Sequence, residues 1–421
     1  MKLYCVDLFS GCGGIALGLE RAGFNPLLFS EINDHAAASY QANRSKEVLR
    51  IKDVAELSNS RIAALKREWR DKHGVDRLDL ITGGPPCQGY SGIGHRRTFK
   101  LDKAAIPSNQ LFKEMVRVIE AFEPKVFLFE NVQGLLTSSW KMDGSGGSIF
   151  REVVQTFRSL GGYEVRWQLV FASDYGVPQN RPRVLLVGIS KDLGVKAPPP
   201  TPDGDTVIAA TAVADGFLPA PDGIAAPSIE EVLSDLVDSQ FQYGGETSTY
   251  PLPPQNSLQR LLRLSKDGHE QLRADQLTEH KYSKHKPRIR QKFRYMLEHG
   301  GRIPERMRTR KFAQRVLPSR WGPEGPSITV TSMPDDYVHY CQARTLTVRE
   351  WARLQTFPDW YLFEGPRTTG GRRRAGDPSK GIWDRDVPRY TQIGNAIPVE
   401  LAYRVGTHLA DILRRKRIAA A

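Results

Sequence analysis

Cysteine is scarce in this 421-residue chain, which holds Cys5, Cys12, Cys87 and Cys341 and no others. No two stand at Cys-x-x-Cys spacing, so neither a zinc site nor a disulfide framework is indicated, and no metal is expected. That usage fits a reducing compartment in which Cys87 stays a free thiol. No apolar run approaches the roughly 18 residues that a membrane helix needs. The amino-terminal stretch carries Lys2 but is interrupted by Asp7 and several glycines, so it does not read as a signal peptide. No internal repeat is present. These absences predict a soluble, cytoplasmic protein. Acids are also short, 47 against 60 Lys and Arg, giving a net charge of +13 and a pI near 9.5. Such an excess points to a polyanionic partner. The length allows a large core and two domains.

What is present centres on Gly83-Gly84-Pro85-Pro86-Cys87-Gln88-Gly89-Tyr90-Ser91. Leu78 to Ile81 is a short apolar run suited to a buried strand, and the glycines and prolines stop it. Cys87 is then presented at a strand's carboxyl end, on a stiff turn before the glycine-rich stretch Gly89 to Gly94. A thiol placed there is a candidate nucleophile under a closing loop. A small buried apolar residue is the commoner fate of a free cysteine and stays open from this stretch alone.

The rest of the amino-terminal half alternates strand and helix. Leu3 to Phe9 reads as a strand, broken by Ser10-Gly11-Cys12-Gly13-Gly14, and a helix follows to Gly23. Gly11-x-Gly13-x-x-Ala16 fits the dinucleotide turn, whose glycines let a ligand approach the backbone at a helix amino terminus. Glu31 ends the next strand 20 residues after Gly11, the spacing at which an acid meets ribose hydroxyls. The turn alone does not separate a nicotinamide cofactor from another adenosine-bearing one, nor from a tight turn without ligand. Asp34 is placed to cap the next helix, and Asp53 follows Ile51-Lys52. Helices are expected over 62–69, 109–122 and 149–160, and strands over 125–129, 164–171 and 183–189. The pattern predicts an α/β fold with a doubly wound, mostly parallel Rossmann-like sheet and a smaller irregular domain. Ligands gather at strand carboxyl ends in such sheets, where Gly11, Glu31, Cys87 and Glu130 all fall.

Beyond Ile189 the rhythm stops. A proline-rich stretch from Lys196 to Pro202 marks a boundary. Lys281 to Arg320 then holds 14 Lys or Arg against two acids, interleaved with Tyr282, His285, Phe293, Tyr295, Phe312 and Trp321. This composition suits phosphate contacts with base stacking, through Lys284, Arg288, Arg290 and Lys292 among others, although a solvated helix face has the same look. Gly370 to Arg374 is a second basic run. Gly394-Asn395 reads as the opening of a terminal helix that runs from Val399 to Leu413, either a second wall for a ligand or only a helix cap.

Taken together, these segments resemble a cytosine-C5 DNA methyltransferase of the bacterial restriction-modification type. Asp7 to Gly14 resembles the family's S-adenosylmethionine turn, Pro85-Pro86-Cys87-Gln88 its nucleophile motif and Glu130-Asn131-Val132 its acidic motif. Gln179-Asn180-Arg181-Pro182-Arg183 resembles the paired-arginine motif. Arg344 to Pro358 resembles the motif that braces target recognition, and Gly394 to Pro398 the last motif. Six motifs in order cover about 1–190 and 344–410.

The resemblance implies a catalytic domain of 1–190 plus 386–421, with a DNA-recognition domain over 191–385 that includes the bracing motif at 344–358. It implies that Cys87 adds to C6 of cytosine, that Glu130 holds the N3/N4 edge and that Arg183 bonds O2. Arg181 would brace that edge and help to lower the thiol pKa. S-adenosyl-L-methionine, released as S-adenosyl-L-homocysteine, would meet Phe9, Gly11, Gly13, Gly14, Glu31, Asp53, Pro85, Leu111, Asn395 and Ile397. The target base would be flipped out of duplex DNA, with Gln88, Ser91, Arg96 and Arg97 on the loop that closes over it. A monomer associated with the nucleoid, with a cognate restriction endonuclease as functional partner, completes the expectation. The rival readings are a nicotinamide oxidoreductase, a transfer-RNA cytosine methyltransferase and a non-catalytic DNA-binding relative.

Overall fold

The computed structural model describes residues 2–86, 107–140, 147–195, 209–308, 315–368 and 386–420. Cys87, the loop 88–105, the proline-rich boundary, Phe312 and the run 370–374 lie outside the described residues.

Seven strands form the central sheet: β1 (Leu3–Leu8), β2 (Phe24–Ser30), β3 (Leu49–Ile51), β4 (Leu80–Gly83), β5 (Val126–Val132), β6 (Tyr163–Phe171) and β7 (Pro182–Ser190). Their order is β3-β2-β1-β4-β5-β7-β6. The first five strands are mutually parallel, whereas β7 runs antiparallel to both β5 and β6. The alternation seen in the sequence therefore predicts four of the five parallel strands, not the three-residue β3, and misses the reversal. A plain continuation of the parallel series would carry the start of β7 to the far edge of the sheet. The reversal instead sets Arg183 opposite Val132, at the carboxyl end of β5.

Both faces of the sheet are covered because successive side chains in each strand point to opposite sides. In β5, Phe127 and Phe129 enter one core, and Val126 and Leu128 enter the other. The first core is closed by α3 (Asn59–His73), α4 (Leu111–Phe122) and α5 (Ser148–Arg158). Helix α5 buries Ile149, Phe150, Val153, Val154 and Phe157, the spacing of one helical face, each contributing about 1.5–3 kcal/mol. The second core is closed by α1 (Gly14–Arg21) and the long terminal helix (Val399–Ala420).

Helix α2 (Asp34–Ala42) is capped by Asn33, whose side chain accepts from the amides of His35 and Ala36. The expected cap, Asp34, is the first helical residue and pairs with Arg50 and Lys52 instead.

The remaining elements are short: α6 (Ile229–Leu233), α7 (Ser257–Leu262), α8 (Pro287–Glu298), β8 (Arg315–Val316), β9 (Tyr337–Val338) and α9 (Val348–Leu354). Helices α6, α7 and α9 and Tyr337 of β9 share a third core with Cys12 and Leu17 of the amino-terminal turn and helix and with Tyr390 and Ile393 of α10 (Arg389–Asn395), whereas Phe293 and Met296 of α8 form a small separate cluster with Val338. The terminal helix, α11, follows α10. Gly394 and Asn395 thus close one helix rather than open the next.

Candidate active site

The site lies along the carboxyl edge of the parallel strands. Its first half is the turn after β1. Phe9, Gly11 and Gly13 all have positive φ (55°, 55° and 88°), a conformation that is costly for Phe9 and is held by the surrounding bonds. The amide of Phe9 donates to Ser30 Oγ at 3.1 Å, and that of Ser10 to the Ser30 carbonyl at 2.9 Å. Glu31 anchors the other side, accepting from the amides of Gly11 (2.9 Å) and Asn33 (2.7 Å). Burial pushes the Glu31 pKa up, while those two amides oppose the rise.

The glycines of the turn have distinct reasons to be glycine. A Cβ on Gly11 would meet nothing within 4 Å, so this is the open side. A Cβ on Gly13 would lie 2.7 Å from an Arg44 nitrogen and 2.8 Å from the Tyr361 hydroxyl. One on Gly14 would lie 2.6 Å from the Ile397 carbonyl oxygen. Ile397 is buried there and Asn395 is exposed. The sequence reading passed over Ile32, which follows Glu31 and is 64% exposed, the most exposed large apolar side chain among the described residues. An isoleucine set directly after an anchored acid at a strand end was the available signal. Asp53 caps a short 3-10 turn, one carboxylate oxygen accepting from the Ala55 amide.

The second half joins β4, β5 and β7. Arg183 Nε stands 2.6 Å from Glu130 Oε1, both side chains largely buried. Among the described residues the Nε hydrogen is not aimed at an acceptor, so the contact is an ion pair rather than a linear hydrogen bond. A Cβ on Gly84 would come within 2.6 Å of Glu130 Oε2, so the strand-end glycine makes room for the carboxylate. Asn131 Nδ2 donates to the Pro85 carbonyl at 3.2 Å, tying the acidic motif to the turn that leads into Cys87. Leu111 begins α4 and is half-buried.

Arg181 lies close enough to feel the charges of Arg183 and Glu130, and its guanidinium is engaged by backbone carbonyls. It is buried, and its two terminal nitrogens donate to the carbonyls of Val330 and Gly394, each at 2.6 Å. Gln179 is likewise consumed by the Leu354 carbonyl, the Gln355 side chain and the Val330 amide. Of the paired-arginine motif, Arg183 therefore faces the carboxylate, while Gln179 and Arg181 bind Val330, Leu354, Gln355 and Gly394.

The basic stretch also divides. Lys284 and Arg288 are exposed. Arg290 lies over the Tyr243 ring at 4.0 Å and donates to the His285 carbonyl. Lys292, expected on the phosphate surface, is 2% exposed and is corrected to a buried residue: it turns inward beside Phe293 and Met296, and burial lowers its pKa. Tyr282 and Phe293, expected to meet bases, are core residues, and Trp321 donates to the Pro227 carbonyl. Helical periodicity explains the inward turn, since 292, 293 and 296 share one face of α8.

A family model described as C-5 cytosine-specific DNA methylase matches residues 3–411. A Type II methyltransferase, M.DdeI of Desulfomicrobium norvegicum, is 30% identical over 96% of this chain and 88% of its own length. M.XorII of Xanthomonas oryzae is 32% identical over 98% of this chain and 85% of that protein. Among solved structures, a prophage-encoded Escherichia coli protein described as a DNA modification methyltransferase superposes with a TM-score of 0.68. At 21% identity over 98% of this chain and all of that one, it supports the fold. The nicotinamide reading of the glycine turn gives way to this agreement, and the chain belongs to the family of C-5 cytosine-specific DNA methylases.

Proposed function

We propose that this protein transfers a methyl group from S-adenosyl-L-methionine to C5 of a cytosine flipped out of a specific double-stranded DNA site. Cys87 Sγ adds to C6, and the ring electrons displaced from the C5–C6 double bond make C5 nucleophilic. The observation that carries the reading is the Glu130–Arg183 pair, fitted against Gly84 and tied through Asn131 to the turn that presents Cys87.

Glu130 holds the N3/N4 edge and shares a proton with N3 while the adduct forms. Arg183 sits where negative charge develops on O2 and offsets it, in a site dry enough for that charge to count. After methylation, water in the closed site takes the C5 proton and the thiolate leaves C6, restoring the aromatic ring.

The described residues fit the proposed cofactor. Gly11 leaves the turn open, Glu31 is anchored with oxygens directed by backbone amides, and Ile32 offers an apolar face beside it. When bound, S-adenosyl-L-methionine supplies the electrophilic methyl group. Glu31 would take the ribose hydroxyls, Phe9 and Ile32 would flank the adenosine, and Gly13, Gly14, Pro85, Leu111, Asn395 and Ile397 would complete the wall. Asp53 would offer its remaining carboxylate oxygen to the adenine amino group.

The division into a catalytic part, 1–190 with 386–421, and a recognition part, 191–385, belongs to the same proposal. In it, Lys284, Arg288 and Arg290 contribute to the DNA surface, Lys292 does not, and Gln88, Ser91, Arg96 and Arg97 close on the flipped base. No helix among the described residues is long and apolar enough to cross a membrane. We place the protein in the cytoplasm as a monomer on nucleoid DNA, with a cognate restriction endonuclease as its functional partner, because its relatives are Type II enzymes.

The test is methyl transfer from tritiated cofactor to duplex DNA, followed by base-resolved mapping. Label at C5 of cytosine in one recurring sequence is the expected result. Label confined to transfer RNA would move the substrate to RNA, and no label on either would favour a binding protein without catalysis.

A further inference from the structure

The glycine turn after β1 is held from behind by a side-chain latch that no sequence motif above contains. Arg44, just beyond α2, is almost wholly buried, its side chain 3% exposed. It donates to the Gly13 carbonyl at 3.2 Å, to the Tyr40 carbonyl at 3.1 Å and to the Tyr361 hydroxyl at 3.0 Å. Its remaining donors meet both oxygens of Glu20 on α1, at 2.9 and 2.8 Å. The guanidinium also lies over the Tyr40 ring at 3.9 Å. Tyr361 donates its own hydroxyl hydrogen to the carbonyl of Cys12. The carbonyls of two successive residues of the turn are thus captured from the protein side.

Tyr361 reaches this position from the far side of the molecule's third core. It follows Asp359, which is paired with Arg353 at 2.6 Å, and Arg353 in turn holds Asp235 next to α6. Asn43 fixes the neighbouring backbone by bonding both the carbonyl and the amide of Leu362. Ser39 accepts from the Glu364 amide. The segment 361–364 is therefore docked on α2 by several independent bonds, and Tyr361 is the member that touches the turn.

We propose that Arg44 and Tyr361 are positioning residues for the cofactor: they fix the Cys12–Gly13 carbonyls and so hold the open face of the turn in its binding shape. The inference rests on the cofactor reading given under Proposed function. Its physical basis is that Phe9 occupies left-handed backbone, which is costly for a residue with a side chain, while the glycines at 11 and 13 leave the turn free to adopt many other shapes unless its carbonyls are held. Crowding at Gly13 explains why the latch is close enough to act: its nearest neighbours are the Arg44 and Tyr361 polar atoms themselves.

Tyr361→Phe removes one oxygen and keeps the ring, and Arg44→Lys keeps the charge but cannot reach every partner. Tyr163→Phe, which deletes a comparable bond to the Pro124 carbonyl at the opposite edge of the sheet, is the control. Dissociation constants for S-adenosyl-L-homocysteine are measured by titration calorimetry. Amide hydrogen exchange of residues 9–17 is measured in the free protein. Tyr361→Phe and Arg44→Lys are expected to weaken the ligand about ten-fold and to speed exchange in the turn by a similar factor, with Tyr163→Phe within two-fold of wild type. Unchanged affinity and exchange in Tyr361→Phe would overturn the proposal, as would equal weakening by Tyr163→Phe. Faster exchange in a protein whose wild type does not bind the ligand would leave the latch standing and remove the cofactor reading instead.

Discussion

Replacing Gly84 by alanine adds one methyl group directly against the proposed catalytic carboxylate. The new Cβ would lie 2.6 Å from Glu130 Oε2, well inside carbon–oxygen contact distance, so the carboxylate must retreat by several tenths of an ångström. It has little freedom to do so, because Oε1 is held 2.6 Å from Arg183 Nε. Gly84 is outside left-handed backbone, so alanine meets no dihedral penalty there, and the fold should tolerate it. Misplacing a catalytic group on this scale costs up to about 100-fold in rate. The expected outcome for Gly84→Ala is kcat for duplex methylation about 100-fold lower, with a melting temperature within about 3 °C of wild type. Tritium transfer at saturating DNA and cofactor, with a parallel thermal melt, reads both numbers. A variant with kcat within two-fold of wild type would refute the claim that Glu130 acts from this position.

The DNA surface and the titration of the sheet edge offer two further tests. Neutralising Lys284 and Arg288 together should lower the slope of log affinity against log salt by about 2, whereas Lys292→Met should leave the slope unchanged. A loss for Lys292→Met like that of an exposed cation would contradict its buried placement. Asp7 is fully buried, neither carboxylate oxygen has a hydrogen-bond partner among the described residues, and burial raises its pKa to about 8. An acid whose folded pKa exceeds its unfolded value favours folding when protonated, so this contribution is complete below about pH 4 and is lost as pH rises towards 8. Asp7→Asn should flatten the fall in denaturant midpoint over that interval, and an unaltered pH profile would show that Asp7 does not titrate there.

Much of this was legible in the sequence because local pattern and chemistry agree along the first 190 residues. Apolar runs ending in glycine or an acid mark β1, β2, β4 and β5 and the points at which they stop, and so place Gly11, Glu31 and Glu130 on one edge; β3, three residues long, is too short to show a pattern. The reversal of β7 was not legible, since a buried antiparallel strand has the same apolar run as a parallel one. Only the structure explains how Arg183 meets Glu130. Charge was the weaker guide. Arg344 and Glu350 form a doubly hydrogen-bonded pair with no exposure, and Arg353 is enclosed between Asp235 and Asp359. Counting such residues towards a surface potential overstates it, and Lys292 was lost in the same way. The latch of Arg44 and Tyr361 was invisible because its parts are 317 residues apart and neither belongs to a recognisable motif.

Attack of Cys87 on C6 of cytosine beside Glu130 and Arg183 leaves a trappable intermediate. Incubating the protein with cofactor and a duplex pool containing 5-fluorocytosine captures it, because fluorine at C5 cannot leave as a proton does and the final elimination is blocked. The expected result is a protein–DNA adduct that survives denaturation, maps to Cys87 and is absent in Cys87→Ser. An adduct at another residue, or methylation that proceeds normally in Cys87→Ser, would remove Cys87 as the nucleophile.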